Sequence, residues 1–448
     1  MKAGLAKIDI TPPLGANLNG YYRERYSDHV IEPLYVTALA FSDGEKTALA
    51  ISLDISEILQ RDTDVIRQQV AAHVGIPFEA VFVACIHTHT APVISEIRGF
   101  FKRDEVYYEQ FRKNICRAAA EAIADMKEAV VSIARGKAEG ISFVRRFRKK
   151  DGTAVTNPPP SMIGQLEAPI GVPDETVQLV KLQRPGTSDI AIVNFGTHPD
   201  TLGGTGISPD WPGYLRDTLE DALVREADGH GVKVIFFNGA QGDVIHINRM
   251  NPQSFSGVPM SQHIGRSLAG AVLAIYTHAE PVTAERVFYQ QNMAHVAVAK
   301  GTAEQVRIAK ELQELFLQKN IPWNVKYEGF PFDLVVARKY LRLEHRDPII
   351  PLNVVCVGFG GVVFVGLPGE PFTSTGVKIK AESPFLMTIP CCNANGSEGY
   401  FPTDDALLEQ GYESSSSLFL PGVAPELEKV SLETLWQLKN TLTTIDSL

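Results

Sequence analysis

Cysteine is scarce in this chain: five in 448 residues, with neither the number nor the spacing of a disulfide framework or a zinc finger. Cys85, Cys116, Cys356, Cys391 and Cys392 are therefore expected to be reduced thiols. No apolar run is long enough to cross a bilayer as a helix, which excludes a spanning protein of that kind and any stable membrane association through one. The opening MKAGLAKIDITPP has no apolar h-region and reads as a first strand and turn, so a cytoplasmic location is the expectation. Basic residues do not dominate. Lys and Arg number 42 against 52 Asp and Glu, giving a formal charge of -10, which argues against a nucleic-acid backbone as partner. A small-molecule substrate fits better, and homo-oligomerisation is left open.

What is present is the composition of an enzyme-sized globular body: 44% hydrophobic and 21% charged residues, with apolar segments alternating between strand and helix periods. Strands are expected over 34–40, 47–53, 80–86, 130–139, 175–182, 190–195, 232–237 and 287–298, with two more turning at Gly358–Gly361. Helices are expected over 61–73, 104–126, 213–226, 261–277, 303–315 and 423–438. No repeat of solenoid length is visible. A boundary near Pro281 is conceivable, but the continued alternation favours one intertwined α/β body.

The chemistry concentrates where apolar strands stop. In AVFVACIHTHTAP a doubly buried strand runs into His87 and His89, whose i, i+2 spacing on extended backbone would aim both imidazoles to one side. AIVNFGTHPD delivers His198 in the same way, and GVVFVGLPGE ends at Glu370. Two or three imidazoles with one carboxylate suit a borderline cation such as zinc, leaving a position for water. Asp54, at another strand end, is a candidate hydrogen-bond partner for a histidine, His89 among them. Tyr21, Tyr22, Arg23 and Arg25 sit in a Gly- and Asn-rich loop and are candidates to line a polar pocket. The basic stretch FVRRFRKKDGTAVTNPPP reads as a loop in which Arg145 or Arg146 can hold a carboxylate or an oxyanion. The NGAQGDV loop has neither the lysine nor the spacing of a P-loop. The segment PWNVKYEGFPFDL reads as an aromatic connector.

Several separated motifs, in one order, resemble the N-terminal catalytic domain of the neutral/alkaline non-lysosomal ceramidases. They are KIDITPP, CIHTHTAP, NFGTHP, NGAQGDV, GLPGE, and Tyr400 twelve residues before Tyr412-Glu413. The resemblance spans nearly the whole chain and implies a layered mixed-sheet α/β fold, 1–448 forming one catalytic domain without the family's separate C-terminal domain. It further implies one Zn2+ held by His87, His198, Glu370 and Tyr400, with His89, Arg145 and Tyr412 contacting the scissile amide. One departure stands out. The family's Gly-Asp-Val-Ser-Pro-Asn is here Gly242-Asp243-Val244-Ile245-His246-Ile247-Asn248, so its serine is missing and a serine-centred mechanism is disfavoured. Polar loops around Arg23 and Arg145 suit a small hydrophilic substrate better than a two-tailed lipid. The functional expectation is a zinc-dependent hydrolase cleaving an amide or related acyl bond through activated water. A metal-dependent isomerase or lyase on a polyhydroxylated substrate, and a non-catalytic metabolite-binding protein, stay open beside it.

Overall fold

A computed structural model describes residues 1–96, 101–251, 254–319, 321, 323, 325–409 and 411–446. Its frame is three sheets, each with four long strands in the same order. The first contains β1 (Lys2–Asp9), β2 (Tyr35–Ser42), β3 (Thr47–Leu53) and β4 (Val81–Cys85). The second contains β5 (Val130–Lys137), β6 (Thr176–Gln183), β7 (Asp189–Phe195) and β8 (Val232–Asn238). The third contains β9 (Val287–Ala297), β10 (Ile349–Phe359), β11 (Val362–Gly366) and β12 (Met387–Cys391). In every sheet the first three strands form an antiparallel meander and the fourth returns parallel to the third. Parallel pairing needs a crossover, and a helix supplies it each time: α1 (Gln60–Val74), α3 (Trp211–Ala222) and α5 (Thr373–Glu382). A second helix follows each fourth strand: α2 (Glu105–Ala124), α4 (Val258–Tyr276) and α6 (Val423–Asp446). The chain thus repeats one βββαβα core three times, the third copy carrying two further helices, Ala303–Lys319 and Leu334–Leu343, between β9 and β10, although no repeat is visible in its sequence.

Alternation along the strands explains the layering. On β4, Val81 and Val83 face α1 and α2, while Phe82 and Ala84 face inward; on β8, Val234 and Phe236 face α3 and α4, while Ile235 and Phe237 face inward. On β11, Val363 and Val365 face the outer helices and Val362 and Phe364 face inward. Both faces are therefore dry, and the strands read as unbroken apolar runs. The inner faces of all three sheets meet in one core, where Phe82, Phe237 and Phe364, one from each sheet, pack with ring centroids 5.1 to 6.3 Å apart. All five cysteines are free thiols. No helix among the described residues is long and apolar enough to cross a membrane.

Two expectations need correction. The basic stretch after Phe143 is not a loop: Arg146–Lys149, Ala154–Thr156 and Leu166–Pro169 form a small antiparallel sheet. The aromatic connector is irregular as expected; Pro322 and Asn324 lie outside the described residues, and the segment leads from the helix Ala303–Lys319 to one at Leu334–Leu343 capped by Asp333. Asp54 serves no histidine among the described residues. Its two oxygens each accept a 2.6 Å bond from the Arg216 guanidinium of α3, fully buried, tying the first sheet to the second unit.

Candidate metal centre

The C-terminal ends of β4, β7 and β11 lead to His87, His198 and Glu370; His87 and Glu370 line one cleft, and His198 is buried against Glu370. Glu370 Oε2 lies 3.3 Å from His87 Nε2 and 3.0 Å from His198 Nε2. His89 completes a buried triad of imidazoles, its Nε2 3.3 Å from that of His87. Tyr400 pairs in register with Glu370 in a two-residue parallel ladder, and its hydroxyl sits 3.3 Å from His198 Nε2.

Convergence of His87 and His89 does not arise from strand alternation. The strand ends at Cys85, and His87 adopts a left-handed backbone (φ 75°), a costly conformation for a residue with a Cβ. The amide of His87 donates to Ile55 O at 3.0 Å and that of His89 to Pro199 O at 3.2 Å, so neighbouring strand ends hold the turn in place. Gly20 closes over His89 so tightly that a Cβ there would come within 2.7 Å of it.

The outer nitrogens of two imidazoles lie against backbone carbonyls. His87 Nδ1 lies 2.9 Å from Ser56 O and 3.0 Å from the side-chain amide nitrogen of Asn393, an acceptor and a donor; His198 Nδ1 lies 2.9 Å from Val244 O and 3.0 Å from Gln241 O. Carbonyls only accept, so His198 Nδ1 carries the proton and its Nε2 lone pair faces Glu370. Lone pairs facing a carboxylate oxygen repel unless a proton or a cation lies among them. Glu370 Oε2 is accordingly buried without a hydrogen-bond partner. Burial disfavours charge on His87, yet the nearby Glu370 reverses this and raises its pKa. Against the opposing effect of burial, His87 first and then His198 hold Glu370 well below the carboxylate range. Ligand atoms of His87, His89 and His198 lie within 4.8 Å of one another, a buried cluster that could hold a metal ion.

His89 differs from the other two. Its Nδ1 faces Asp200 Oδ1 at 3.3 Å but makes no aligned hydrogen bond. Burial, with His87 and His198 adding repulsion, keeps its pKa well below the ordinary value, so it is a neutral imidazole with a carboxyl group behind it. Asp200, which also accepts from the Tyr21 hydroxyl, is the residue that sequence reasoning missed. Its position two residues after His198 in NFGTHPD was the available signal.

Arg145 is not solvated: it is 3% exposed, and its guanidinium stacks 5.2 Å from the Tyr400 ring and 5.8 Å from the Tyr412 ring. Its Nε donates to Glu413 at 2.8 Å and Nη2 to Gly242 O at 2.6 Å. The NGAQGDV loop therefore works through its carbonyls, which hold His198 and Arg145. Gly242 is required there, since a Cβ would meet Glu370 O at 2.5 Å. The Tyr412 hydroxyl bonds that of Tyr22 at 3.3 Å, and Tyr22 stacks on Trp323. Tyr21 and Tyr22 line the cleft as expected. Arg23 and Arg25 do not; Arg25 instead supports the site from behind, donating to His89 O at 2.7 Å. The cleft at the cluster encloses about 140 Å³ and is also lined by Glu57, Arg338, Lys339 and Arg342.

No protein-family model and no curated protein sequence matches the chain. Its fold does match solved structures. A neutral ceramidase from Pseudomonas aeruginosa superposes with a TM-score of 0.72 at 18% identity, covering 96% of this chain and 73% of that one. A structure described as a ceramidase complexed with C2 superposes with a TM-score of 0.74 at 16% identity, covering 98% of this chain and 75% of that one. At such identity the likeness shows a shared layered α/β architecture.

Proposed function

We propose that this protein is a zinc-dependent hydrolase cleaving an amide or related acyl bond of a small polar substrate, the ion held by His87, His198, Glu370 and Tyr400. Residues 1–448 are taken as one ceramidase-like catalytic unit. The observation that carries this reading is the meeting of His87 Nε2 and His198 Nε2 with the partnerless Glu370 Oε2, within a three-histidine cluster. When bound, such an ion supplies Lewis acidity, polarising a carbonyl and making water nucleophilic near neutral pH.

The chain's own residues divide the remaining work. His89, neutral and without a backbone carbonyl to fix its tautomer, accepts the proton of the attacking water at Nε2 and shares its Nδ1 proton with Asp200. It later returns a proton to the leaving amine. Tyr412, its hydroxyl oriented by Tyr22, donates to the oxygen on which charge develops. Arg145, pinned by Glu413 and Gly242, places a fixed positive charge behind both tyrosines and favours that charge build-up.

The test is turnover of an amide panel in water enriched in heavy oxygen. Cleavage with solvent oxygen in the new carboxylate supports the proposal. Rearrangement or elimination without it would assign the site to an isomerase or lyase, and binding without any turnover to a metabolite-binding protein.

A further inference from the structure

His89, Tyr400, Tyr22 and Tyr412 form a wall with space on both sides. Behind it lies a second chamber of about 330 Å³, bordered by Asp200, Asn157, His246 and Arg249 as polar groups and by Ile245 and Trp323 as apolar ones. Arg249 is unusual in its surroundings. Its Nη2 donates to Asn157 Oδ1 at 3.1 Å, its Nε is buried without a partner, and no carboxylate of the described residues pairs with it. The neighbouring Arg145 is paired with Glu413, whereas no such ion pair holds the half-buried Arg249 among the described residues. Burial lowers its pKa, with Arg145 adding to the effect.

His246 points to the same need. It is 2% exposed, its Nε2 lies 2.8 Å from Ser256 Oγ, and its Nδ1 is buried without a partner. When the serine hydroxyl donates to Nε2, Nδ1 carries the proton and is a donor in want of an acceptor. Burial drives the imidazole pKa down to about 3, with Arg249 contributing, so this donor is neutral. Arg249 Nε and, in that tautomer, His246 Nδ1 are buried donors on one chamber without acceptors, a cost that a ligand accepting from them would remove.

We propose that this chamber is a carboxylate subsite, in which Arg249, with His246 and Asn157 beside it, binds an acidic group on the substrate. The hydrolase would then act on acylated amino acids or similar acidic amides. This assignment rests on the proposed hydrolase function, because the chamber shares His89, Tyr400 and Tyr412 with the metal centre. A guanidinium suits a carboxylate through its planar, divergent N–H donors, and the apolar residues would accommodate the carbon frame next to it.

The experiment measures binding of hippurate and of its neutral counterpart hippuramide by calorimetry, to metal-loaded and chelator-treated protein. Hippurate is expected to bind at least tenfold more tightly than hippuramide in both forms. R249Q should reduce this preference below twofold, and R249K should retain part of it. Equal affinity of the two probes for the unmodified protein overturns the subsite whether or not any variant folds, as does tighter binding of inorganic phosphate than of hippurate. The two readings fail differently. A charge preference with no hydrolysis of any amide leaves the subsite standing and removes the hydrolase, while equal turnover of hippurate and hippuramide by protein and R249Q alike does the reverse.

Discussion

Replacing Arg216 with methionine strips the charge partner from Asp54 while keeping much of the side-chain volume. Both groups are buried, with Asp54 fully enclosed, and the pair forms two parallel 2.6 Å bonds. The carboxylate left behind would keep only one further acceptor role, to the backbone N–H of Tyr35 at 2.9 Å. Removing one partner of such a buried pair costs about 3–5 kcal/mol, mostly because the remaining charge is stranded. In D54N/R216M the charge is gone and the asparagine carbonyl can still serve Tyr35. Its unmatched amide should then cost about 1–3 kcal/mol, so the double variant should be more stable than R216M alone. Urea unfolding followed by tryptophan fluorescence suits the measurement, since Trp211 is fully buried at the start of the same helix. A double-mutant cycle is completed by D54N. R216M within about 1 kcal/mol of the unmodified protein, or a coupling energy below about 0.5 kcal/mol, would refute the stranded-charge reasoning.

Other expectations follow from the site and its surroundings. His89→Ala should lower turnover of a cognate amide by about 10²-fold or more while metal content stays stoichiometric, as expected for loss of a general base; unchanged turnover across neutral pH would remove His89 from the mechanism. Tyr412→Phe should cost about 3–4 kcal/mol of transition-state stabilisation, read as kcat/KM, if its hydroxyl serves the developing oxyanion. Phe237→Ala, which empties the meeting point of the three sheets, should destabilise by about 3–5 kcal/mol in the same urea assay. Glu32 has a pKa raised to about 7, chiefly by burial. Its folded form binds a proton that the unfolded chain has already released, so stability should fall between about pH 4.5 and pH 7 and level off above that. Glu32→Gln should flatten this slope, which melting temperatures at pH 5 and pH 8 would show.

Much of this architecture was legible because β4, β7, β8 and β11 are buried on both faces and read as apolar runs. Their ends then identified His87, His198 and Glu370 without any knowledge of topology. The threefold unit was hidden for local reasons. β12 is five residues long with Pro390 inside it, and α5 begins after Phe372, which supplies no side-chain cap, so neither announces itself. Asp54 was placed at a strand end, but its partner lies 162 residues away, and local pattern carries no information about such a pairing. The two histidines of CIHTHTAP were expected to converge, and they do, although the cause is a left-handed turn held by neighbouring strands. Asp200 and Arg249 acquire their meaning from what surrounds them in the fold, and the sequence shows only their identity.

Metal content tests the proposed centre most directly. Protein purified without chelator and analysed by elemental emission, together with anomalous diffraction at the zinc edge, should show one ion per chain among His87, His198, Glu370 and Tyr400, lost in His87→Ala. A zinc peak elsewhere, or a full complement of metal in His87→Ala, would contradict it.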